Sequence, residues 1–567
     1  MVLQALLLML VAGVYSGAGD HAAFAQPADL VIHNAHIWTA DPEQPQASAV
    51  VVRDGRIVAV LQDGGDMQKW VGPDTQMIDA EGAFVMPGLI DTHVHLEGAA
   101  SDMRHLDLRP ARSRAELLEM VHRYAAGFDE DAWVVGTRWS AESWPDQQPP
   151  SADEIDVATG GRKAILIRMD GHSLLASRSA LEYSQIDAAG PPDPAGGTIG
   201  RDATGTPTGQ VYEQAMALLW KHAELPEVDT RDLLKRAIAH ANANGITQVG
   251  AIESSATLRE LAALDEAGEL TLRIDATVRY GVDTVASWMS ELEWAAANRM
   301  LSPGVRVLGF KGFMDGTLGS RTAWQMQPYD DNHMAEDKAD DNAGFPLAMA
   351  GTGALADLIA TGSAMDLQPA VHAIGDRSNH ELLNWYESLP AEQRRALRPR
   401  IEHAQHLLPD DVARFAQLGV IPSMQPYHKA DDGRYAEQRL GPIRIQTSYA
   451  FRGLLDSGAC LAFGSDWPVV SVNPFLGIAA AVTAETLDGK VFIPEQSLTC
   501  EEALICYTRN AAFCLHSEDE TGMIKPGYQA NMVVLNHDIR SAKSQNLART
   551  HVRFTFVNGE MVFERRE

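Results

Sequence analysis

Three things are scarce in this 567-residue sequence: cysteine, positive charge and long apolar segments. Four cysteines are too few for a disulfide scaffold. The 46 Lys and Arg residues stand against 76 Asp and Glu residues, a formal net charge of -30. This balance argues against a broad nucleic-acid surface, which needs clustered positive charge. Beyond the N-terminus there is no charge-free apolar run of about 18 residues, so we expect no stable membrane span.

The N-terminus has the pattern of a secretory signal peptide. Residues 2–14 form an apolar run, and Ala23-Phe24-Ala25 before Gln26 fits a small-x-small cleavage site. No Lys or Arg precedes this run, so a mis-assigned start or a buried first strand or helix stays open as an alternative. We expect cleavage after Ala25, which predicts a secreted or periplasmic protein. Removing residues 1–25 deletes one charged residue, Asp20, and changes the net charge from -30 to -29.

Both ends of the remaining chain have the pattern of β-hairpins. Apolar and polar residues alternate around Asp54-Gly55 near the N-terminus and around Asn558-Gly559 near the C-terminus. Two such short segments cannot each bury a core of their own. We therefore predict one composite β-sandwich domain, with its N-terminal part in residues 26–88 and its C-terminal part within residues 481–567.

Between these ends, short apolar runs alternate with helical stretches. The runs cover residues 84–95, 164–172, 246–253, 306–311, 368–373, 400–404, 420–426 and 460–466. Eight runs predict an α/β fold with a TIM-like (β/α)8 barrel over residues 89–480, whose last helices extend into 481–567. Residues 132–139 and 272–278 also have strand patterns, so the choice of eight is not unique. Residues 100–215 are too long for a simple connection and are interpreted as an insertion.

Polar residues recur where these runs end, which is where barrel enzymes place their active sites. His93 and His95 point to the same side of a strand, so both imidazoles can reach one metal ion. His372, His403 and Asp466 end three further runs. Each alone has an ordinary explanation as a core histidine or a helix N-cap, but together they predict a metal site. Imidazole and carboxylate ligands suit Zn²⁺, with Mn²⁺, Co²⁺ or Fe²⁺ as alternatives.

Lys311 ends the run at residues 306–311, where an apolar flank makes a lone ammonium group costly. One explanation is a side chain that extends to the barrel mouth or pairs with Asp315. The other is carbamylation by CO₂, which turns the amine into a carboxylate able to bridge two metal ions. Burial and nearby cations favour the neutral amine that this reaction requires.

The combined pattern resembles the amidohydrolase superfamily and, within it, amidohydrolase family 3, the group that includes N-substituted formamide deformylases. The similarity covers residues 27–565 and rests on GLIDTHVHL, RMDGHSLLASRSAL, GTPTGQVYE, FMDGTLGSRTA, VHAIGDR, RIEHAQHL, SMQPYH and FGSDWPV. It implies two divalent metal ions bridged by carbamylated Lys311. The implied ligands are His93, His95 and Asp466 for one ion, and His372 and His403 for the other. It also implies attack by a hydroxide shared by both ions, with Asp466 as general base.

This resemblance predicts an amidohydrolase that cleaves an amide, formamide or related non-peptide C–N bond of a small molecule. The candidate substrate-binding residues are His172, Arg321, Gln425 and His428. Trp467 follows Asp466 where a small residue is usual, which weakens the transfer of any particular substrate. Two alternatives stay open: a lactone, ester or cyclic-imide hydrolase on the same site, and a secreted ligand-binding paralogue without catalysis. A homo-oligomer is compatible with the acidic surface.

Overall fold

The computed structural model describes residues 26–566, except 63–65, 142–143, 170, 172, 195–196, 226–228, 280–284 and 332–341. The predicted signal peptide and the candidate substrate-binding residue His172 lie outside the described residues. In the part of the chain that is described, no helix has the length and apolar character needed to cross a bilayer.

The two ends of the chain meet in a pair of β-sheets. In the described residues, the strand order of the first sheet is Arg56–Leu61, Ala49–Arg53, Leu30–His33 and Gln76–Asp79. The strand order of the second is Glu560–Glu564, Val552–Val557, Met532–Leu535, Phe84–Pro87, His36–Trp38 and Gln46–Ala47. Phe84–Pro87 pairs antiparallel with Met532–Leu535, so one sheet contains strands from both ends.

An apolar core fills the space between the two sheets. It joins Leu30 and Val50 of the first sheet to Val85, Val534 and Phe556 of the second. The tight turns at Asp54-Gly55 and Asn558-Gly559 have φ values of 50°, 72°, 48° and 78°. These left-handed angles are adopted at low cost by Asp-Gly and Asn-Gly pairs, which confirms the two predicted hairpins.

Parallel strands form the central barrel. Around the barrel, the strands in the described residues are Leu89–Val94, Ile246–Glu253, Arg273–Val278, Val305–Phe313, Gln368–Ala373, Arg400–His403, Ile421–Met424 and Ala462–Phe463. The short strand Met300–Ser302 pairs antiparallel with Val305–Phe313. The segment after the last strand returns to the first, because Asp466 N donates to His93 O at 2.7 Å and His95 N donates to Trp467 O at 2.8 Å. The predicted TIM-like barrel is confirmed.

The third barrel strand is not one of the eight apolar runs predicted to form the barrel; it comes from the additional strand pattern at residues 272–278. Arg273–Val278 lies between the second and fourth strands, whereas the strand Lys163–Arg168, from the run predicted at residues 164–172, lies outside the barrel. This strand pairs with Trp133–Trp139 and Ser173–Ala176 in a separate sheet. Both segments are rich in buried apolar residues, so their patterns are alike. Pairing between distant segments decides which of them enters the barrel.

The separate sheet lies in sequence between the first and second barrel strands. Its described strands follow the order Gly197–Arg201, Pro207–Glu213, Ser173–Ala176, Lys163–Arg168, Trp133–Trp139 and Leu106–Asp107. Residues at the ends of two of its strands, Ser140, Arg168 and Met169, reach the cavity at the barrel mouth. This sheet therefore supplies part of the cavity wall.

Helices follow the barrel strands, and further helices, such as Arg114–Ala125 and Ala152–Thr159, pack on the separate sheet. In the described ranges, the α-helices are Leu96–Asp102, Arg114–Ala125, Ala152–Thr159, Arg178–Tyr183, Ala217–Trp220, Thr230–Ala243, Ser255–Glu266, Val285–Ala297, Ala348–Gly351, Ala354–Ala364, Asp376–Ser388, Ala391–Leu397, Pro409–Leu418, Pro426–Asp432, Ala436–Arg444, Phe451–Asp456, Pro474–Thr483, Cys500–Cys506, Arg509–Cys514 and Ser544–Leu547. Helix Ser255–Glu266 shows how a helix begins: the Ser254 side chain accepts a hydrogen bond from Thr257 N. The second barrel strand therefore ends in a short, capped turn.

Candidate metal centre

The first group of candidate ligands forms where the barrel closes. His93 lies in the first strand and His95 directly follows it, while Asp466 follows the last strand. The Nε2 atoms of His93 and His95 lie 3.4 Å and 3.3 Å from Asp466 Oδ1. The backbone hydrogen bonds across the closure hold both segments in register. Three ligand atoms thus converge on one point at the mouth.

A second group shares Asp466. His428 Nε2 lies 3.8 Å from Asp466 Oδ2, and the His428 ring stacks on that of His403 with centroids 6.0 Å apart. The His372 ring lies 4.5 Å from the His403 ring. His372 Nε2 is 3.1 Å from Gly316 O, so a proton on Nε2 leaves the Nδ1 lone pair available as a ligand. The structure therefore brings together all four histidines predicted as metal ligands, and adds His428.

Buried partners orient two of these imidazoles. His93 Nδ1 lies 2.7 Å from Glu402 Oε2, and His403 Nδ1 lies 2.7 Å from Gln425 Oε1. Since a carboxylate and an amide oxygen accept hydrogen bonds, each Nδ1 carries the proton and each Nε2 presents a lone pair. Gln425 therefore acts on His403; it is not among the residues that line the cavity.

The protonation states suit metal binding. Burial, followed by the charge of Lys311, lowers the pKa of His93 to about 4. Burial likewise lowers the pKa of His403 well below its usual range. Burial by itself would raise the pKa of Asp466, but His93, His95 and His403 outweigh it and hold that pKa well below the usual value. At neutral pH His93 and His403 are therefore neutral and Asp466 is ionised, as metal ligands must be.

Lys311 lies on the fourth barrel strand and lines the same cavity. Its side chain is buried, and its Nζ has no hydrogen bond or salt bridge with any described residue. The Phe313 ring lies 5.1 Å from Nζ. Burial lowers the pKa of Lys311 to about 8. The alternative explanation of a Lys311–Asp315 pair is not supported, since Asp315 accepts hydrogen bonds from the backbone of Ile374 and Gly375.

Asp91 and Gly464 stabilise the contact between the first and last barrel strands. Asp91 Oδ1 accepts hydrogen bonds from His93 N at 3.1 Å and Ser465 N at 2.9 Å. A Cβ at position 464 would lie 2.7 Å from Asp91 Oδ1 and 2.8 Å from His93 N. The close approach therefore requires glycine, and it sets the distance between the first and last strands at the ligands.

The ligand groups line a cavity of about 240 Å³. Its apolar wall includes Phe313, Leu318, Ile374, Val469 and Val470. The polar residues that line it beside the ligand groups include Gln405, Asp431, Asp432 and Tyr435. A space of this size, part apolar and part polar, suits a small organic molecule.

Two other residues that the sequence analysis connects with substrate binding, Arg321 and Trp467, do not line this cavity. Arg321 makes hydrogen bonds to both Asp331 oxygens, at 3.1 and 2.8 Å, and lines a different cavity. Trp467 is buried against the His240 ring, with centroids 5.5 Å apart, and is not one of the residues lining the metal cavity. The Trp467 ring therefore does not narrow the metal cavity.

The residues present fit a divalent metal. In the described part of the chain, two groups have ligand atoms that all lie within 4.8 Å of one another: His93 with His95 and Asp466, and His403 with His428 and Asp466. His428 Nε2 is buried without a hydrogen-bond partner, so its lone pair or proton needs another partner. Imidazole with carboxylate is a donor set typical of zinc and its neighbours.

The barrel and this ligand set define a class of protein, the metal-dependent hydrolases with a TIM-like barrel. A solved structure of an uncharacterized metal-dependent hydrolase from Pyrococcus horikoshii has a TM-score of 0.71 at 25% identity, covering 91% of this chain and 99% of that chain. A second, from Pyrococcus furiosus, has a TM-score of 0.68 at 25% identity, covering 90% and 99%.

The chain belongs to the amidohydrolase family, whose sequence profile matches residues 76–563. It is 33% identical over 550 residues to the protein LONG AFTER FAR-RED 3 of Arabidopsis thaliana, covering 94% of this chain and 92% of that protein. It is 28% identical to an N-substituted formamide deformylase of Arthrobacter pascens, covering 95% and 99%. A putative amidohydrolase of Bacillus subtilis, YtcJ, is 27% identical, covering 94% and 99%. The predicted family is confirmed, and these similarities support a metal-dependent hydrolase.

Sequence reasoning missed several residues that shape the site. Arg400 and Glu402 lie in the strand RIEH, within the apolar run at residues 400–404. Asp91 lies two residues before His93, within the motif GLIDTHVHL. Glu402 could have been recognised from the sequence, because a charged residue inside a barrel strand needs a buried partner.

Proposed function

We propose that this protein hydrolyses an amide, formamide or related non-peptide C–N bond of a small molecule. The observation that carries the proposal is the convergence of His93, His95, His403 and Asp466 beside Lys311 in one small cavity. The 28% identical relative from Arthrobacter pascens, an N-substituted formamide deformylase, supports the choice of a C–N bond.

We assign His93, His95 and Asp466 to one divalent ion, and His403 with His372 or His428 to a second. Zn²⁺ is the proposed metal because the donors are imidazoles and carboxylates. Bound metal supplies an acidified water and polarises the substrate carbonyl. Glu402 and Gln425 keep the Nε2 atoms of His93 and His403 directed at the ions.

Asp466 is the proposed general base. Its carboxylate is ionised, buried and central to both ligand groups. It takes the proton from the attacking water and then delivers it to the departing nitrogen, so that the amine leaves neutral. The apolar wall limits bulk water around this proton transfer.

We further propose that Lys311 is carbamylated. Its buried amine lacks a hydrogen bond or salt bridge among the described residues, and conversion to a carbamate provides a carboxylate between the two ligand groups. Addition of CO₂ forms the N–C bond and releases the amine proton, and the resulting anion is stabilised by the metal ions.

Metal analysis combined with a substrate screen tests this function. Purified protein loaded with Zn²⁺, Mn²⁺ or Co²⁺ should retain about two ions per chain and hydrolyse at least one compound in a panel of N-formyl and N-acyl compounds. His93→Ala and His403→Ala should each lower the metal content. His551→Ala, at an exposed position near the C-terminus, is the matched control.

The outcomes separate the alternatives. Metal content near zero would favour a binding protein. Full metal content with turnover of lactones or esters alone would favour the alternative hydrolase.

Export is proposed on the sequence pattern of residues 1–25 alone. Expression of the full chain in a bacterium and N-terminal sequencing of the periplasmic fraction should give Gln26 as the first residue. A retained Met1 in the cytoplasmic fraction would contradict export. The same preparation gives the oligomeric state by light scattering.

A further inference from the structure

The Gln405 side chain lies in the wall of the metal cavity, two residues after His403. It is 2% exposed, so its amide group is removed from bulk water. A buried amide needs partners for both its nitrogen and its oxygen.

The amide nitrogen of Gln405 is held by Asp432, which also lines the cavity, and by Tyr449, which is not among the lining residues. Nε2 donates to Asp432 Oδ2 at 2.6 Å and also to the Tyr449 hydroxyl oxygen. The Tyr449 hydroxyl in turn donates to Asp432 Oδ2 at 2.7 Å, and the Tyr435 hydroxyl donates to Asp432 Oδ1. A carboxylate can only accept here, so the nitrogen of Gln405, not its oxygen, faces Asp432. The orientation of the amide is therefore determined.

The backbone of Gln405 is held as well. Tyr449 N donates to Gln405 O at 2.6 Å, which ties the segment after His403 to the segment before helix Phe451–Asp456. The side chain thus has little freedom to rotate out of the wall.

The carbonyl oxygen of Gln405 is the unpaired end. No described residue donates a hydrogen bond to Oε1, and the nitrogen end occupies the side toward Asp432. Oε1 is not among the unpaired side-chain atoms that are closed off from solvent in the described residues, so in a residue that lines the cavity this acceptor is accessible from the cavity. When a substrate fills the cavity and displaces water from it, an unpaired Oε1 would become costly, so a substrate with a hydrogen-bond donor at this position is favoured.

We propose that Gln405 Oε1 accepts a hydrogen bond from an N–H group of the substrate and thereby selects secondary amides, formamides and ureas over esters and lactones. This inference rests on the proposed hydrolase function and makes Gln405 a specificity-determining residue. An ester places an oxygen lone pair where the amide has its N–H, so two acceptors would face each other. A site built around a substrate N–H discriminates strongly against analogues that lack it.

A matched substrate series tests the proposal. The series is an arylalkyl formamide, its N-methyl derivative and the formate ester of the corresponding alcohol, together with the three acetyl analogues. Each is assayed with the zinc-loaded full chain and with Gln405→Met, which keeps the side-chain length but lacks the acceptor. Gln446→Met, at an exposed glutamine, is the control, and metal content is measured for every protein.

The expected result is a change in the ratio of kcat/KM for the secondary amides to kcat/KM for the esters. Gln405→Met should lower kcat/KM for the secondary amides about tenfold or more relative to the esters, while the metal content stays at the wild-type level. In the wild-type enzyme N-methylation should reduce kcat/KM, and this reduction should shrink in Gln405→Met. The N-methyl comparison in the wild type is informative even if the variant does not fold.

An amide-to-ester ratio that is the same in wild type and Gln405→Met would overturn the inference and leave the hydrolase function intact. N-methyl amides turned over as fast as secondary amides by the wild type would do the same. If the zinc-loaded wild type hydrolyses neither the amides nor the formamides, the proposed function fails, and the inference fails with it.

Discussion

Replacing Glu402 by glutamine perturbs the support of the first ligand group. Glu402 Oε2 accepts the Nδ1 proton of His93 at 2.7 Å, and Oε1 lies 3.0 Å from Arg400 Nε. All three residues are buried. Burial by itself would raise the pKa of Glu402, but Arg400 and His93 outweigh it and lower the pKa to about 2. Glutamine keeps the shape and an acceptor for His93 but removes the charge opposite Arg400.

The expected loss of stability in Glu402→Gln follows from the distance between the two charges. At an effective dielectric constant of about 20, unit charges at the observed 3.0 Å attract by about 5 kcal/mol. Breaking a buried ion pair costs about 3–5 kcal/mol, because the remaining charge is left without a partner. We expect Glu402→Gln to lower the free energy of unfolding of the metal-free protein by about this amount. Zinc affinity should fall about 10- to 100-fold, because a neutral partner makes His93 a weaker ligand.

Two assays separate these effects. Urea unfolding of the metal-free protein gives the free energy of unfolding, and competition with a chromophoric chelator gives the zinc affinity. Glu392→Gln, at an exposed glutamate, is the matched control. The double variant Arg400→Met/Glu402→Gln should regain most of the lost stability, since it removes both charges, but not the zinc affinity.

Wild-type zinc affinity in Glu402→Gln would refute the role given to the negative charge of Glu402 beside His93. A double variant that is as unstable as the single variant would refute the electrostatic account of the stability loss.

Three further predictions follow from other groups. Asp466→Asn should retain part of the metal but lose about 100-fold or more in kcat, as removal of a general base does; a near-normal kcat would contradict its role. With a Lys311 pKa of about 8, the neutral amine rises from about 1% at pH 6 to about half at pH 8, so CO₂ addition to the metal-free protein at fixed CO₂ should quicken about 50-fold, measured by mass spectrometry after trapping; a rate independent of pH would exclude Lys311. Burial raises the pKa of Glu253 from 4.5 to about 8, so between these values the folded state holds a proton that the unfolded state has released. Stability should therefore fall as pH rises through this window, with a slope of about 1.4 kcal/mol per pH unit from this group. Urea unfolding should show this slope removed in Glu253→Gln, and an unchanged slope would exclude the buried carboxyl.

The sequence by itself predicts a β/α barrel and two hairpins, which the structure confirms, and a set of candidate metal ligands. These predictions rest on features that can be recognised in short segments of the sequence. They are the polar residues at strand ends, the Asp-Gly and Asn-Gly turns, and the histidines that follow the strands. The amidohydrolase family follows from the same motifs, and the family match confirms it.

Only the tertiary structure decided the rest. Residues 164–172 and 272–278 have similar apolar patterns, and long-range strand pairing placed the second in the barrel and the first in the separate sheet. Glu402 lies 309 positions from His93 in the chain, and Gln405 is oriented by Asp432 and by Tyr449, 44 positions away. Such contacts depend on how the barrel closes, because a hydrogen bond across the barrel leaves no periodic pattern in either segment. The sequence therefore identified candidate metal ligands, and the closed barrel determined which residues hold them in place.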